Sequence, residues 1–415
     1  MPRETRSHVD DLRAATRLAV EATRGVTDLV EAMHRTIGGG PAVLGRPLER
    51  PTRVLIAPVY GSIRGVTRLV GAGIDRALAR VAPLVAPRVP RQEFEAVLAA
   101  LNGVLGDYLD ETRNPLAIQM GLYHGGHRLE IDRKALRVEL PGAGRKLLVL
   151  VHGSSMNEEA WNRQGHDLGA ALARDLGYTP VYLRYNSGLH ISTNGRKLSF
   201  LLERLVAEWP GPLDELVLLA HSMGGLVSRS ACHVAEAAGH QWRPRLTKLV
   251  CIASPHHGAP LERGGSWVDV LLGVSRYSRP LARLGRIRSA GVTDLRFGNV
   301  LDEHWQGRDR FRLAADGRTP LALPEGVECF AIAGTRTRQP GTRLLGDGLV
   351  PVHSALGRHR RPELTLGFPE SNQWIGFGIG HVDLLARIEV YRTLRKWLSS
   401  RPRGHSARRR TAGSS

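Results

Sequence analysis

The sequence predicts an α/β protein: a mostly parallel sheet with helices on both faces, preceded by a helical region. Three observations predict it. From about residue 146 onward, short apolar runs of strand length alternate with stretches of helical period, whereas residues 9–109 carry helical period alone. A strand-like run ending at Ala220 passes through His221-Ser222-Met223-Gly224-Gly225 directly into a helix. Alternating strands and helices imply parallel pairing, because each crossover lays a helix on the sheet. In such sheets the chemistry lies beyond the carboxyl ends of the strands.

The helical region has three runs. Leu12, Ala15, Leu18, Ala19, Ala22, Val26, Leu29, Val30, Met33 and Ile37 recur at three- and four-residue steps and stop at Gly38-Gly-Gly-Pro41. A second run includes Ile63, Val66, Leu69, Val70, Ile74 and Leu78, and a third includes Phe94, Val97, Leu98, Leu101, Val104, Leu105 and Tyr108. Arg24-Gly-Val-Thr-Asp-Leu-Val30 and Arg64-Gly-Val-Thr-Arg-Leu-Val70 are near copies. Such stripes suit either a small helical bundle or an amphipathic surface for lipid or a partner. The predicted division is therefore a helical region over 1–112, a sheet domain over 113–400 and a basic tail over 401–415.

Within the sheet domain, the alternating runs Leu116–Met120, Arg128–Ile131 and Leu136–Leu140 predict antiparallel edge strands. Five buried strands are predicted at Lys146–Val151, Pro180–Arg184, Glu215–Ala220, Lys248–Ala253 and Glu328–Ala333. Helical period fills Asp167–Leu176 and Leu198–Trp209 between them.

Composition narrows the function classes. Hydrophobic residues make up 42% of the 415, enough to bury a core. Lys and Arg outnumber Asp and Glu by 58 to 39, giving a formal charge of +19. The cations are scattered Arg, clustered only at residues 401–410, and no zinc-finger spacing or basic aromatic motif accompanies them, which argues against nucleic-acid binding. Three cysteines form an odd set, with Cys251 and Cys329 inside apolar strand runs, so they read as reduced core residues. Residues 1–6 lead into charged amphipathic sequence, and no run reaches the roughly 20 apolar residues of a membrane span. The expected location is cytoplasmic, with peripheral membrane contact through the N-terminal helices left open.

The chemistry concentrates at the strand ends. Strand, sharp turn and helix around Ser222 are the context of a nucleophile elbow, with Ala220 where a G-x-S-x-G motif has its first glycine. A serine before a helix is also a common N-cap. The oxyanion formed by attack of Ser222 needs two N–H donors. Met223, next after the nucleophile, is one, and Ser154 in His152-Gly153-Ser154 after the first parallel strand is the second. Downstream, Asp347 lies in Gly346-Asp347-Gly348 after the Glu328–Ala333 strand. His381 follows a final strand-like run, in Gly378-Ile-Gly380-His381, at the start of a helix expected to reach about Trp397. The order Ser, Asp, His is that of a hydrolase triad built on such a sheet. Asp347 is also a common turn former, and His353, His256 and His257 are rivals for the base.

Leu147-Leu-Val-Leu-Val-His-Gly153, Ala220-His-Ser-Met-Gly-Gly225, Ala253-Ser-Pro-His-His-Gly-Ala-Pro260, Gly346-Asp-Gly-Leu-Val-Pro351 and Gly380-His381 together resemble lipases and esterases of the α/β-hydrolase superfamily. The set is similar to bacterial triacylglycerol lipases and to the hydrolase domain of GPI inositol-deacylases. This resemblance covers about residues 115–400. It implies an α/β-hydrolase fold and ester hydrolysis, with Ser222, Asp347 and His381 as triad and the Ser154 and Met223 amides as oxyanion hole. It implies no metal or organic cofactor for the chemistry. In the bacterial lipases an Asp two residues after the catalytic histidine binds calcium; Asp383 has that place here, without a convincing second acidic ligand. The long, apolar, Arg-flanked stretch over about 261–325 fits a lid, in composition and in its placement in those lipases. A thioesterase, amidase or transacylase would use the same triad, and a catalytically silent lipid- or partner-binding scaffold is the alternative from another class.

Overall fold

The computed structural model describes residues 91–258, 289–309, 316–339 and 346–400. The first two N-terminal helical runs, the front of the lid-like stretch and the basic tail lie outside them. The chain divides into two compact units, residues 1–91 with 109–117, and residues 92–108 with 118–415.

The second unit is an eight-stranded sheet flanked by helices. Its strands are β1 (Gly121–His124), β2 (His127–Arg128), β3 (Lys146–Val151), β4 (Thr179–Arg184), β5 (Glu215–His221), β6 (Leu246–Ile252), β7 (Glu328–Thr335) and β8 (Gln373–Phe377). They lie side by side in the order β8-β7-β6-β5-β3-β4-β1-β2. From β8 to β4 all pairings are parallel, and only β1 runs antiparallel to its neighbours. This is an α/β-hydrolase fold.

Residue type dictates which strands lie at the centre. β3 and β5 are almost continuous Leu and Val, and both faces of them are buried, as parallel strands between two helical layers must be. Alternate side chains serve opposite layers. Leu147, Val149, Leu216 and Leu218 enter one core cluster, while Leu148, Leu150, Val217 and Leu219 enter the other. Register then levels the strand ends, since Val151 pairs with Ala220 and Ala220 with Cys251. The loops after β3, β5 and β6 therefore leave the sheet next to one another.

Among the described residues the α-helices in chain order are α1 (Arg91–Glu111), α2 (Arg133–Glu139), α3 (Leu168–Leu176), α4 (Ile191–Ala207), α5 (Met223–Ala238), α6 (Ala290–Asp294), α7 (Val352–Ala355) and α8 (Ile388–Ser399). Two of them correct the sequence reading. Leu136–Leu140 is not an edge strand but the second half of α2 and its C-cap, because Asp132 accepts hydrogen bonds from the Lys134 and Ala135 amides and starts a helix there. Likewise, residues 92–108 of α1 do not belong with the N-terminal region but cluster with the sheet. Gly103 and Gly106 explain this: a Cβ at Gly103 would stand 2.9 Å from Ser155 Cα, and one at Gly106 would overlap the Asn186 amide. Closeness lets Asn186 Nδ2 donate to the Gly106 carbonyl at 2.8 Å and Ser289 Oγ donate to that of Gly103 at 2.7 Å. Arg184 adds an ion pair to Glu95 at 2.7 Å.

Candidate active site

Ser222 sits at the junction of β5 and α5 with φ 53° and ψ −123°. Positive φ is unfavourable for a residue with a Cβ, and such strain persists only where the surroundings over-determine it, at a cost of about 1–3 kcal/mol. Here the Ser222 amide donates to the Ile252 carbonyl at the end of β6 at 2.8 Å. On the other side Gly224 lies so close to the end of β3 that a Cβ would come within 2.6 Å of the His152 carbonyl oxygen. That is the steric reason for a glycine two residues after the serine.

The loop after β3 presses against Ser222. A Cβ on Gly153 would be 3.1 Å from Ser222 Cβ and 3.1 Å from His221 Nδ1. Ser154 is buried, with no partner for its Oγ among the described residues, and Ser155 has φ 58° while its amide donates to Ser187 Oγ at 2.9 Å. Met223 opens α5, where a helix leaves its first amides without intrahelical acceptors. His152 anchors the loop from below. Its Nε2 accepts from the Tyr185 amide at 3.3 Å, so Nδ1 carries the proton and donates to the Gly153 carbonyl at 2.7 Å. Burial lowers its pKa to about 4 and keeps the ring neutral. Its ring stacks on Tyr185, whose hydroxyl donates to the His152 carbonyl.

Asp347 and His381 come from the loops after β7 and β8. Asp347 is fully buried between Gly346 (φ 94°) and Gly348 (φ 102°). Its Oδ1 accepts from the Leu349 and Val350 amides at 2.9 and 2.8 Å, which fixes the carboxylate plane. Oδ2 then faces His381 Nδ1 at 2.8 Å. With Nδ1–H donating to the carboxylate, His381 Nε2 is left as the basic nitrogen. The His381 amide also donates to the Asp347 carbonyl at 3.1 Å.

His221, which the sequence reading passed over as part of the elbow motif, ties these loops to the serine. Its Nε2 donates to the His381 carbonyl at 3.2 Å, and the two rings lie 4.8 Å apart. Burial, and then the neighbouring His381, hold its pKa well below the usual histidine value. No sequence signal marks this bond, since its two ends lie far apart in the chain.

The rivals are placed elsewhere. His353 is exposed on α7, His257 Nε2 donates to the Gly357 carbonyl at 2.9 Å, and buried His256 packs against Phe368. Nor does the chain run helically from His381 to Trp397: a 3-10 turn at Asp383–Leu385 precedes α8, and Asp383 is exposed on it. Among the described residues no group of three or more His, Cys, Asp or Glu side chains is placed to hold a metal ion.

Residues 184–312 match the family described as a PGAP1-like alpha/beta domain. No curated protein matches the sequence. Among solved structures, the mature lipase of Bacillus licheniformis is similar at 18% identity, over 62% of this chain and 93% of that one, with a TM-score of 0.40. A thermophilic esterase from Thermogutta terrifontis is 16% identical over 62% of this chain and 90% of its own, with a TM-score of 0.36. The lipase of Staphylococcus hyicus is 14% identical over 62% and 96%, again with a TM-score of 0.36.

Proposed function

We propose that the chain is a serine hydrolase of carboxylic esters that works through an acyl-enzyme, with Ser222 as nucleophile, His381 as general base and Asp347 as its orienting acid. One observation carries the reading: a serine held at positive φ between a central parallel strand and a helix, on the same sheet end as a buried Asp–His pair. A serine that merely caps a helix needs neither the strain nor the pair.

Ser222 Oγ attacks the ester carbonyl while His381 Nε2 takes its proton, and Asp347 stabilises the resulting imidazolium through Nδ1–H. The Met223 and Ser154 amides receive the developing oxyanion. His381 returns the proton to the leaving alcohol, then activates water to release the acid. All of this needs only groups of the chain and water. A substrate carrying an acyl chain, taken from a lipid surface by the N-terminal helices in a cytoplasmic setting, extends the proposal. Among the described residues no helix is long and apolar enough to cross a membrane.

Labelling with a fluorophosphonate, followed by peptide mapping, tests the assignment. The adduct is expected on Ser222 alone and absent in Ser222→Ala; an adduct on another serine, or none, overturns it. Turnover of p-nitrophenyl esters of increasing length then reads out the acyl preference.

A further inference from the structure

The loop after β3, which carries the Ser154 amide, is gripped from outside at two points, and both grips come from the residues just past β4. On one side of Gly153 and Ser154, the Tyr185 amide and hydroxyl donate to His152 Nε2 and to the His152 carbonyl. On the other side, Ser187 Oγ accepts from the Ser155 amide at 2.9 Å. His152, Tyr185 and Ser187 are all buried.

A backbone amide has one proton to give. That of Ser155 is spent on Ser187 Oγ. The Ser154 amide meets no acceptor among the described residues. Of these two neighbouring N–H groups, only that of Ser154 is left for a substrate oxygen.

The same hydroxyl acts on the backbone conformation. Ser155 has φ 58°, which is costly for a residue with a Cβ and persists only where the surroundings hold it. Rotation about its N–Cα bond swings the preceding residue, Ser154, relative to the chain that follows. Two neighbours resist that rotation. Gly103 of α1 lies so close that a Cβ on it would stand 2.9 Å from Ser155 Cα, and Ser187 Oγ holds the Ser155 amide. Ser187 is fixed in turn. Gly291 at the start of α6 has no room for a side chain against the Ser187 carbonyl, and its amide donates to the Gly188 carbonyl at 3.0 Å. The Gly188 amide donates to Asn186 Oδ1 at 3.0 Å.

We propose that Ser187 is a positioning residue for the ester hydrolysis proposed above: by accepting from the Ser155 amide it keeps Ser155 at positive φ and aims the Ser154 amide at the oxyanion. Ser187 touches no reacting atom, and its role rests on the reading of Ser222 as nucleophile. Because the oxyanion exists only on the way to and from the tetrahedral intermediate, loss of the aim falls on kcat and spares KM. Removing an oxyanion donor outright costs about 10²–10³ in kcat, and a displaced donor costs a part of that.

The test compares the full-length chain with Ser187→Ala on p-nitrophenyl butyrate, with active sites counted by fluorophosphonate titration. Ser187→Ala is expected to lower kcat by about 10–100-fold with little change in KM. A trifluoromethyl ketone supplies the second readout: Ser222 Oγ adds to its carbonyl carbon, the proton passes to His381, and the ketone oxygen is left charged where the oxyanion would be. Its affinity is expected to fall by the same factor as kcat. Replacing Ser155 as well, by Gly, which holds positive φ without strain, is expected to recover several-fold of the lost kcat. A wild-type chain without ester turnover overturns the triad reading itself. Wild-type turnover that is undiminished in Ser187→Ala overturns the positioning role alone, as does a loss confined to KM with ketone affinity unchanged. A double variant as slow as Ser187→Ala overturns the route through Ser155.

Discussion

The placement of Ser222, Asp347 and His381 in loops just past strands was legible, because each is flanked by residues that only a tight backbone requires. Gly346 and Gly348 around the aspartate have φ values of 94° and 102°, and Gly224 backs onto β3. Replacing Gly224 by valine forces a branched side chain against the His152 carbonyl, and is expected to cost 1–3 kcal/mol or more in urea unfolding and to remove fluorophosphonate labelling. His221 was not legible, since adjacency to the serine says nothing of a carbonyl 160 positions later. Under the proposed triad, its bond to the His381 carbonyl makes it a positioning residue. His221→Phe is expected to lower kcat for p-nitrophenyl esters by about 10–100-fold with little change in KM, as small misplacements of a catalytic group do. His221→Gln, which can still donate, is expected to recover part of that loss. A KM effect instead, or equal losses in both variants, would assign His221 to the substrate pocket or to packing.

At the scale of elements, the apolar pattern located the five predicted parallel strands to within a few residues, because buried parallel strands are short continuous apolar runs bounded by turn residues. It misread α2, where a seven-residue helix is too short for period to outweigh alternation and the deciding signal is the Asp132 cap. Asp132→Ala is expected to cost about 1 kcal/mol in urea unfolding. Periodicity left open what α1 packs against. A helical stripe shows that a helix buries one face, not against what; here Gly103 and Gly106 bring it onto the loops after β3 and β4. A chain lacking residues 1–90 is therefore expected to stay soluble and to retain ester turnover, whereas one lacking 1–110 loses the packing over Ser155 and aggregates. Both truncations behaving alike in size-exclusion chromatography would contradict this division.

For the whole molecule, pH is the variable that its buried histidines control. His152, His221 and His256 are fully buried and neutral, with pKa values lowered chiefly by desolvation, to about 4 for His152. In the unfolded chain each titrates near 6.5. Above that pH both states are neutral and nothing is lost; as pH falls from about 6.5 toward 4 the unfolded state alone takes up protons, so stability falls. Three such sites give a slope of about 4 kcal/mol per pH unit. Urea unfolding at pH 7.5, 6 and 5 is expected to show a plateau and then this decline; equal stability at pH 7.5 and 5 would mean that the rings become charged in place. The sheet order has a consequence of another kind, for an emerging polypeptide. Ser222 follows a central strand, whereas His381 follows the edge strand β8, threaded about 160 residues later. At ribosomal speeds of roughly 5–20 residues per second, a nascent chain would carry its serine for about 8–30 s before the histidine is even synthesised. Under the proposed triad, the newborn chain is silent by its own wiring, with no inhibitor required.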